Sequence, residues 1–151
     1  MRRGPASFLA LALVALAGCS GPPAPPKSPE EAALRLLRMA SATETRRADW
    51  PAVAASERID ADPALFATTM AALGAMGTRC RVTGTAPAGG GTRRDADLTC
   101  SLSGGGTASL VIASEERPDG TWRVVSIEGP GIGWPSQRPG DGAGVTTSAP
   151  P

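Results

Sequence analysis

Chemistry in a protein needs groups that carry a proton, hold a metal or form a bond, and this chain is poor in them. Its 151 residues contain three cysteines (Cys19, Cys80 and Cys100), 14 Asp+Glu against 15 Lys+Arg, and neither histidine nor tyrosine. Cysteine therefore offers the widest choice: a thiolate nucleophile, a metal ligand or a disulfide. The missing histidine excludes Ser-His-Asp and Cys-His catalysis, His-ligated zinc and an imidazole pH switch. No Cys-x-x-Cys pair marks a dithiol redox site. Asp60-Ala61-Asp62 and Asp95-Ala96-Asp97 could offer oxygens to calcium. Each aspartate also has a plainer role: Asp62 stands where a helix cap belongs, Asp95 borders a turn, and Asp97 lies diagonally from Arg81 as an exposed sheet charge. Gly89-Gly90-Gly91 and Gly104-Gly105-Gly106 would cradle phosphate only where a strand runs into a helix. Both runs join strand to strand without a following Lys-Ser/Thr, so they read as turns. Arg46-Arg47 and Arg93-Arg94 read as solvated loop charges. We assign no catalytic residue, no metal and no cofactor on this evidence.

The surroundings of Cys19 narrow its chemistry. Arg2 and Arg3 precede an unbroken apolar run from Phe8 to Ala17. Ten helical residues rise about 15 Å, half the roughly 30 Å of a bilayer core, which is the size of a signal-peptide core rather than a permanent span. Leu16-Ala17-Gly18-Cys19 follows at once, and over residues 1–19 the chain resembles a bacterial lipoprotein precursor. The resemblance implies cleavage between Gly18 and Cys19, a diacylglyceryl thioether on Cys19 and acylation of the new amine by a palmitate-type chain. Each buried acyl methylene is worth about 0.8 kcal/mol, so two or three chains hold a protein firmly to a membrane. The resemblance also implies a cell-envelope location. Ser20, where aspartate would favour retention at the inner membrane, points to the periplasmic face of the outer membrane in a cell with two membranes. Removing residues 1–18 takes away Arg2 and Arg3 and leaves 13 basic against 14 acidic groups, a net charge of −1. So balanced a chain has no electrostatic footprint for nucleic acid.

Four segments follow from this: a signal peptide, 1–18; the lipidated cysteine and a Pro-rich tether, 19–27; a domain, 28–128; and a Gly/Pro-rich tail, 129–151, expected to be disordered. Gly21-Pro22-Pro23-Ala24-Pro25-Pro26 favours extended polyproline II and acts as a spacer, and Trp134-Pro135 is the one spot in the tail suited to docking, either back on the domain or on a partner. Within the domain, Ser28-Pro29-Glu30-Glu31 is a capping box that starts a helix reaching to about Thr45. A short helical piece is expected around Trp50–Ala55. Asp62-Pro63 opens a second amphipathic helix, stopped by Gly77, with Leu65, Phe66, Thr69, Met70, Leu73 and Met76 on its apolar face.

After Gly77 the apolar period changes from 3.6 to 2. Cys80, Val82 and Gly84 alternate with polar residues, as do Leu98, Cys100 and Leu102, with a Gly-rich connection from Ala86 to Arg94. A simple hairpin sets Cys80 opposite Cys100, Val82 opposite Leu98 and Gly84 opposite Ala96. In an oxidising envelope, two cysteines on one face of adjacent strands form a disulfide, Cys80–Cys100. Thr107 to Ser114 and Thr121 to Ile127 complete a four-stranded antiparallel meander under two or three N-terminal helices, an α+β layout.

That order of elements, with a last strand Gly120-Thr121-Trp122-Arg123-Val124, resembles the nuclear-transport-factor-like and cystatin-like folds. The resemblance implies a sheet curved round the helices as a cone, often holding a ligand or a dimer partner. Enzymes of that group place Asp with His or Tyr in the cone. Here the inward sheet positions, Cys80, Val82, Leu98, Cys100, Leu102, Leu110 and Ile112, include no carboxylate. The sequence is thus read as a non-enzymatic, lipid-anchored envelope protein serving as a binding or assembly module for an envelope protein partner. The competing reading is a carrier of a small apolar ligand, or an enzyme, using the hollow of the cone.

Overall fold

The computed structural model describes residues 24–42, 47–76 and 79–135. Helix α1 runs Pro29–Ser41 and a 3₁₀ turn Arg47–Ala52. Helices α2, Ser56–Ala61, and α3, Pro63–Ala75, follow. Five strands complete the order: β1 Cys80–Pro87, β2 Arg93–Ser101, β3 Thr107–Glu116, β4 Trp122–Gly129 and β5 Ile132–Trp134. They form one antiparallel meander in sequence order. The fold is α+β, as the patterning predicts, with a fifth strand where four were expected.

Both long helices start where their caps place them. The Ser28 hydroxyl accepts from Glu31 N at 3.1 Å and Asp62 Oδ1 from Leu65 N at 2.9 Å, each with a proline at the first helical turn. The capping box is displaced by one residue: the Glu31 carboxylate accepts from Lys27 N, not Ser28 N. Helix α1 buries Pro29, Ala32, Ala33, Leu36 and Leu37, one face at helical spacing, and ends at Ser41. The expected extension to Thr45 enters residues outside those described. Helix α3 buries Phe66, Thr69, Met70 and Leu73. It approaches α1 so closely that a Cβ on Gly74 would stand 2.5 Å from the Ala40 carbonyl oxygen. The helix α2 is missed by periodicity because six residues make too short a window.

The hairpin register holds for Cys80↔Cys100 and Val82↔Leu98 and then shifts. Thr83 is an extra residue, so Gly84 pairs with Asp97 and Thr85 with Ala96, correcting the expected Gly84–Ala96 pair. Strand β2 starts at Arg93, so Arg93 and Arg94 are strand residues rather than loop charges. Leu102 is not an inward strand position but a part-exposed turn residue, its N–H bonded to Gly106 O. The glycines of both triplets stand in turns, and all but Gly104 have positive φ.

The core lies between α1, α3 and one face of the sheet, with Leu36, Phe66, Leu73, Leu98, Ile112, Ile127 and Trp134 almost wholly buried. Two of its members lie beyond the expected domain limits. Trp134 is the largest fully buried side chain, so ordered structure passes Glu128 into β5 and the docking spot in the tail is part of the core. Pro26, read as spacer, is also fully buried, and its carbonyl accepts from Trp122 N at 2.9 Å.

Candidate functional site

Cys19 and Gly18, the lipid-site residues, lie outside the described residues. The other two cysteines are joined: Cys80 and Cys100 form a disulfide across β1 and β2, with Cα atoms 4.0 Å apart. The register explains why. Ser101 N donates to Arg79 O, which makes 80 and 100 a non-hydrogen-bonded pair, the kind whose side chains stand closest. Cys100 is buried, whereas Cys80 is part-exposed at the sheet edge.

Cys80 also closes one side of a surface depression. This open groove of about 390 Å³ runs between the C-terminal half of α1 and the start of β1, lined by Leu34, Leu37, Arg38, Ser41, Ala42 and Cys80. Helical spacing places 34, 37, 38 and 41 on one stripe of α1. The Ser41 hydroxyl is turned inward onto Leu37 O at 2.9 Å, which leaves a largely apolar wall. Arg38 is exposed and its Nε lies 3.4 Å from Leu34 O. Among the described residues, no carboxylate lines this groove.

The space between helices and sheet is occupied. Trp50 and Trp134 meet Phe66 edge-on from two sides, with ring centroids at 4.9 and 4.5 Å. Four buried polar atoms, Arg93 Nε, Asp95 Oδ1, Ser114 Oγ and Trp134 Nε1, have no hydrogen-bond partner among the described residues.

The titratable groups lie elsewhere. A polar cleft of about 140 Å³ is bounded by Glu57 of α2 and by Arg117, Asp119, Thr121 and Arg123 around the β3–β4 turn. Arg117 bonds Glu57 and holds its carboxyl below the usual range. The Thr121 hydroxyl and N–H do the same for Asp119, at 2.6 and 2.9 Å from its Oδ1. Glu30 is lowered by a backbone N–H at the start of α1. Carboxylates held down in this way stay ionised at neutral pH and are poor proton donors. Asp62 is a helix cap, as expected. Asp95 sits inside β2, with its Oδ1 4.0 Å from Arg93 Nε, while Arg93 Nη2 donates to Ser126 Oγ at 3.0 Å. Sequence reasoning missed that role of Arg93; its signal is the alternation with Asp95 and Asp97 along one strand face.

No protein-family model matches the chain, and neither the curated proteins nor the solved structures include a significant match.

Proposed function

We propose that this protein is a lipid-anchored component of a bacterial cell envelope whose α+β domain is a non-catalytic binding or assembly module. The observation that carries the anchor is the order basic start, apolar core and Leu16-Ala17-Gly18-Cys19 within the first nineteen residues. Binding rather than catalysis is supported by the filled interior, where Trp50 and Trp134 pack edge-on against Phe66. The Glu57, Asp119 and Glu30 carboxylates are tied to arginine, threonine or backbone N–H groups, which hold them ionised and make them poor proton donors.

The anchor is tested by the intact mass of protein extracted from membranes. The expected mass lacks residues 1–18 and carries acyl groups, and Cys19→Ser releases the chain from the membrane fraction. An unmodified Cys19 in a membrane-bound chain would refute it. The module is tested by crosslinking and pull-down of the lipidated protein from its native envelope. Recovery of a co-purified lipid without a specific protein partner would favour the second reading, an apolar-ligand carrier, which the open apolar groove beside α1 supports.

A further inference from the structure

The outer edge of β4 is closed by three separate pieces of chain. Trp122 N donates to Pro26 O, Val124 N to Val53 O and Ala55 N to Val124 O, while β5 pairs with residues 127–129. Pro26 leads into α1, and residues 53–55 lie between the 3₁₀ turn and α2, so neither leaves β4 without moving a helix. Strand β5 follows every other described element and is free of that restraint. Its Ile132 is part-exposed, Gly133 exposed and Trp134 buried, so three ladder pairs and one indole hold it in place.

The turn that folds β5 back has the wrong hand for a hairpin. Gly129 pairs with Ile132, which leaves the two-residue loop Pro130-Gly131. Such loops favour types I′ and II′, whose twist matches that of the strands, and both need a positive φ at the first loop residue. Proline fixes that angle near −65° and excludes them. Gly131, at φ +70°, takes the second place of a type II turn, which splays the strands it joins. The buried indole of Trp134 therefore closes a hairpin that its own loop opposes.

The register shows what an opened loop meets. The pairs Ile127–Trp134, Glu128–Gly133 and Gly129–Ile132 are symmetric about the Pro130–Gly131 bond. With that loop straightened, residues 127–134 of one chain pair antiparallel with the same residues of a second copy, and no residue is left over. Hydrogen-bonded and non-hydrogen-bonded pairs alternate along such a ladder, and the pair closing a two-residue turn is hydrogen-bonded. The new Pro130–Gly131 pair between copies thus asks no N–H of the proline.

We propose that β5 exchanges between two copies of this chain, Ile132–Trp134 of each closing the β4 edge of the other. Each Trp134 then packs on the second copy's Phe66, as it packs at 4.5 Å on its own in the closed chain. The contacts of β5 are kept and the unfavourable turn is lost, against the cost of holding two molecules together. The occupant is a second copy because the site is shaped to this chain's own indole, and the same sequence continues the ladder across the hinge in register.

The test coexpresses two differently tagged forms of the full chain, one with Glu128→Cys and one with Gly133→Cys. These positions face each other across the β4–β5 pair, and a Cβ on Gly133 meets nothing within 4 Å. Exchange predicts a covalent heterodimer through the two new cysteines. Adding Pro130→Asn to both forms supplies the Asn-Gly loop that type I′ prefers and should lower the heterodimer about tenfold. A single chain carrying both new cysteines reports the closed hairpin as a crosslink within one molecule. That internal crosslink without any heterodimer in the coexpressed pair would overturn the proposal. So would a heterodimer undiminished by Pro130→Asn, or the absence of both crosslinks.

Discussion

Gly74 and Gly129 look interchangeable in the sequence but are constrained by different neighbours. A Cβ on Gly74 would meet a backbone oxygen, Ala40 O, at 2.5 Å, and helix backbones move only together. A Cβ on Gly129 would meet Leu110 Cδ2 at 2.3 Å, the far end of a side chain that can change rotamer. Gly74→Ala should therefore lower stability by about 2–3 kcal/mol, despite the roughly 1 kcal/mol by which alanine favours a helix. Gly129→Ala should cost about 1 kcal/mol. Urea midpoints of the two variants check the order, and a Gly74→Ala protein as stable as the parent would refute the close approach of α1 and α3. Glu57 supplies a second residue-scale test. Its folded pKa lies below the ordinary 4.5, chiefly through the Arg117 hydrogen bond, so its contribution is present above that value and is lost as pH falls through the folded pKa. Glu57→Gln should flatten the loss of stability with acid below pH 4.5, read as unfolding free energy against pH, without changing its slope at neutral pH. The effect is small because the pair is exposed.

Among elements, the β1–β2 hairpin joins the outermost strand to the sheet. Strand β1 lies at the sheet edge and its outward residues are solvent-exposed, so less apolar burial holds it than holds β3 or β4. The disulfide closes a 20-residue separation, for which loop-closure entropy gives about 3 kcal/mol. Reduction should lower the melting temperature and raise amide exchange first in Cys80–Pro87; uniform exchange across the sheet would show that β1 is not the weak element. The pairing of the cysteines was legible because it depends only on alternation and on the residues next to the strand start. The bulge at Thr83 was not legible. Thr83 and Gly84 are both small, and no large apolar residue follows them in β1 whose exposure would betray a slip in register. Strand β5 was hidden for another reason: three residues between Gly131 and Pro135 carry no period, and glycine and proline around them read as tail. Both helix caps were legible, since Ser28 and Asp62 each precede a proline and an apolar stripe. The groove was not, because Leu34, Arg38 and Cys80 are ordinary residues that only the packing of α1 on β1 brings together.

At the scale of the molecule, both flanks of the expected domain take part in the core. The Pro26 carbonyl bonds the start of β4, and Trp134 meets Phe66 edge-on. A chain ending at Gly129 should therefore be destabilised by at least the roughly 3–5 kcal/mol of removing a buried tryptophan. Trp134→Ala alone should show most of that loss in a thermal or urea melt. A truncated chain with an unchanged melt would mean that the core closes without β5. The high Gly and Pro content is thus only partly the mark of tether and tail, since Gly74 sits at a helix contact and the positive-φ glycines shape the strand turns.

The position of Trp134 also sets an order in time. A chain leaving a pore N-terminus first delivers α1 and α3 early, yet the ring that fills the space beside Phe66 comes after every other core residue in sequence. Until that ring emerges, the helices lack the partner that completes their packing. On the proposed reading of an exported, lipid-anchored chain, the emerging segment stays pliable and threadable while it crosses the membrane.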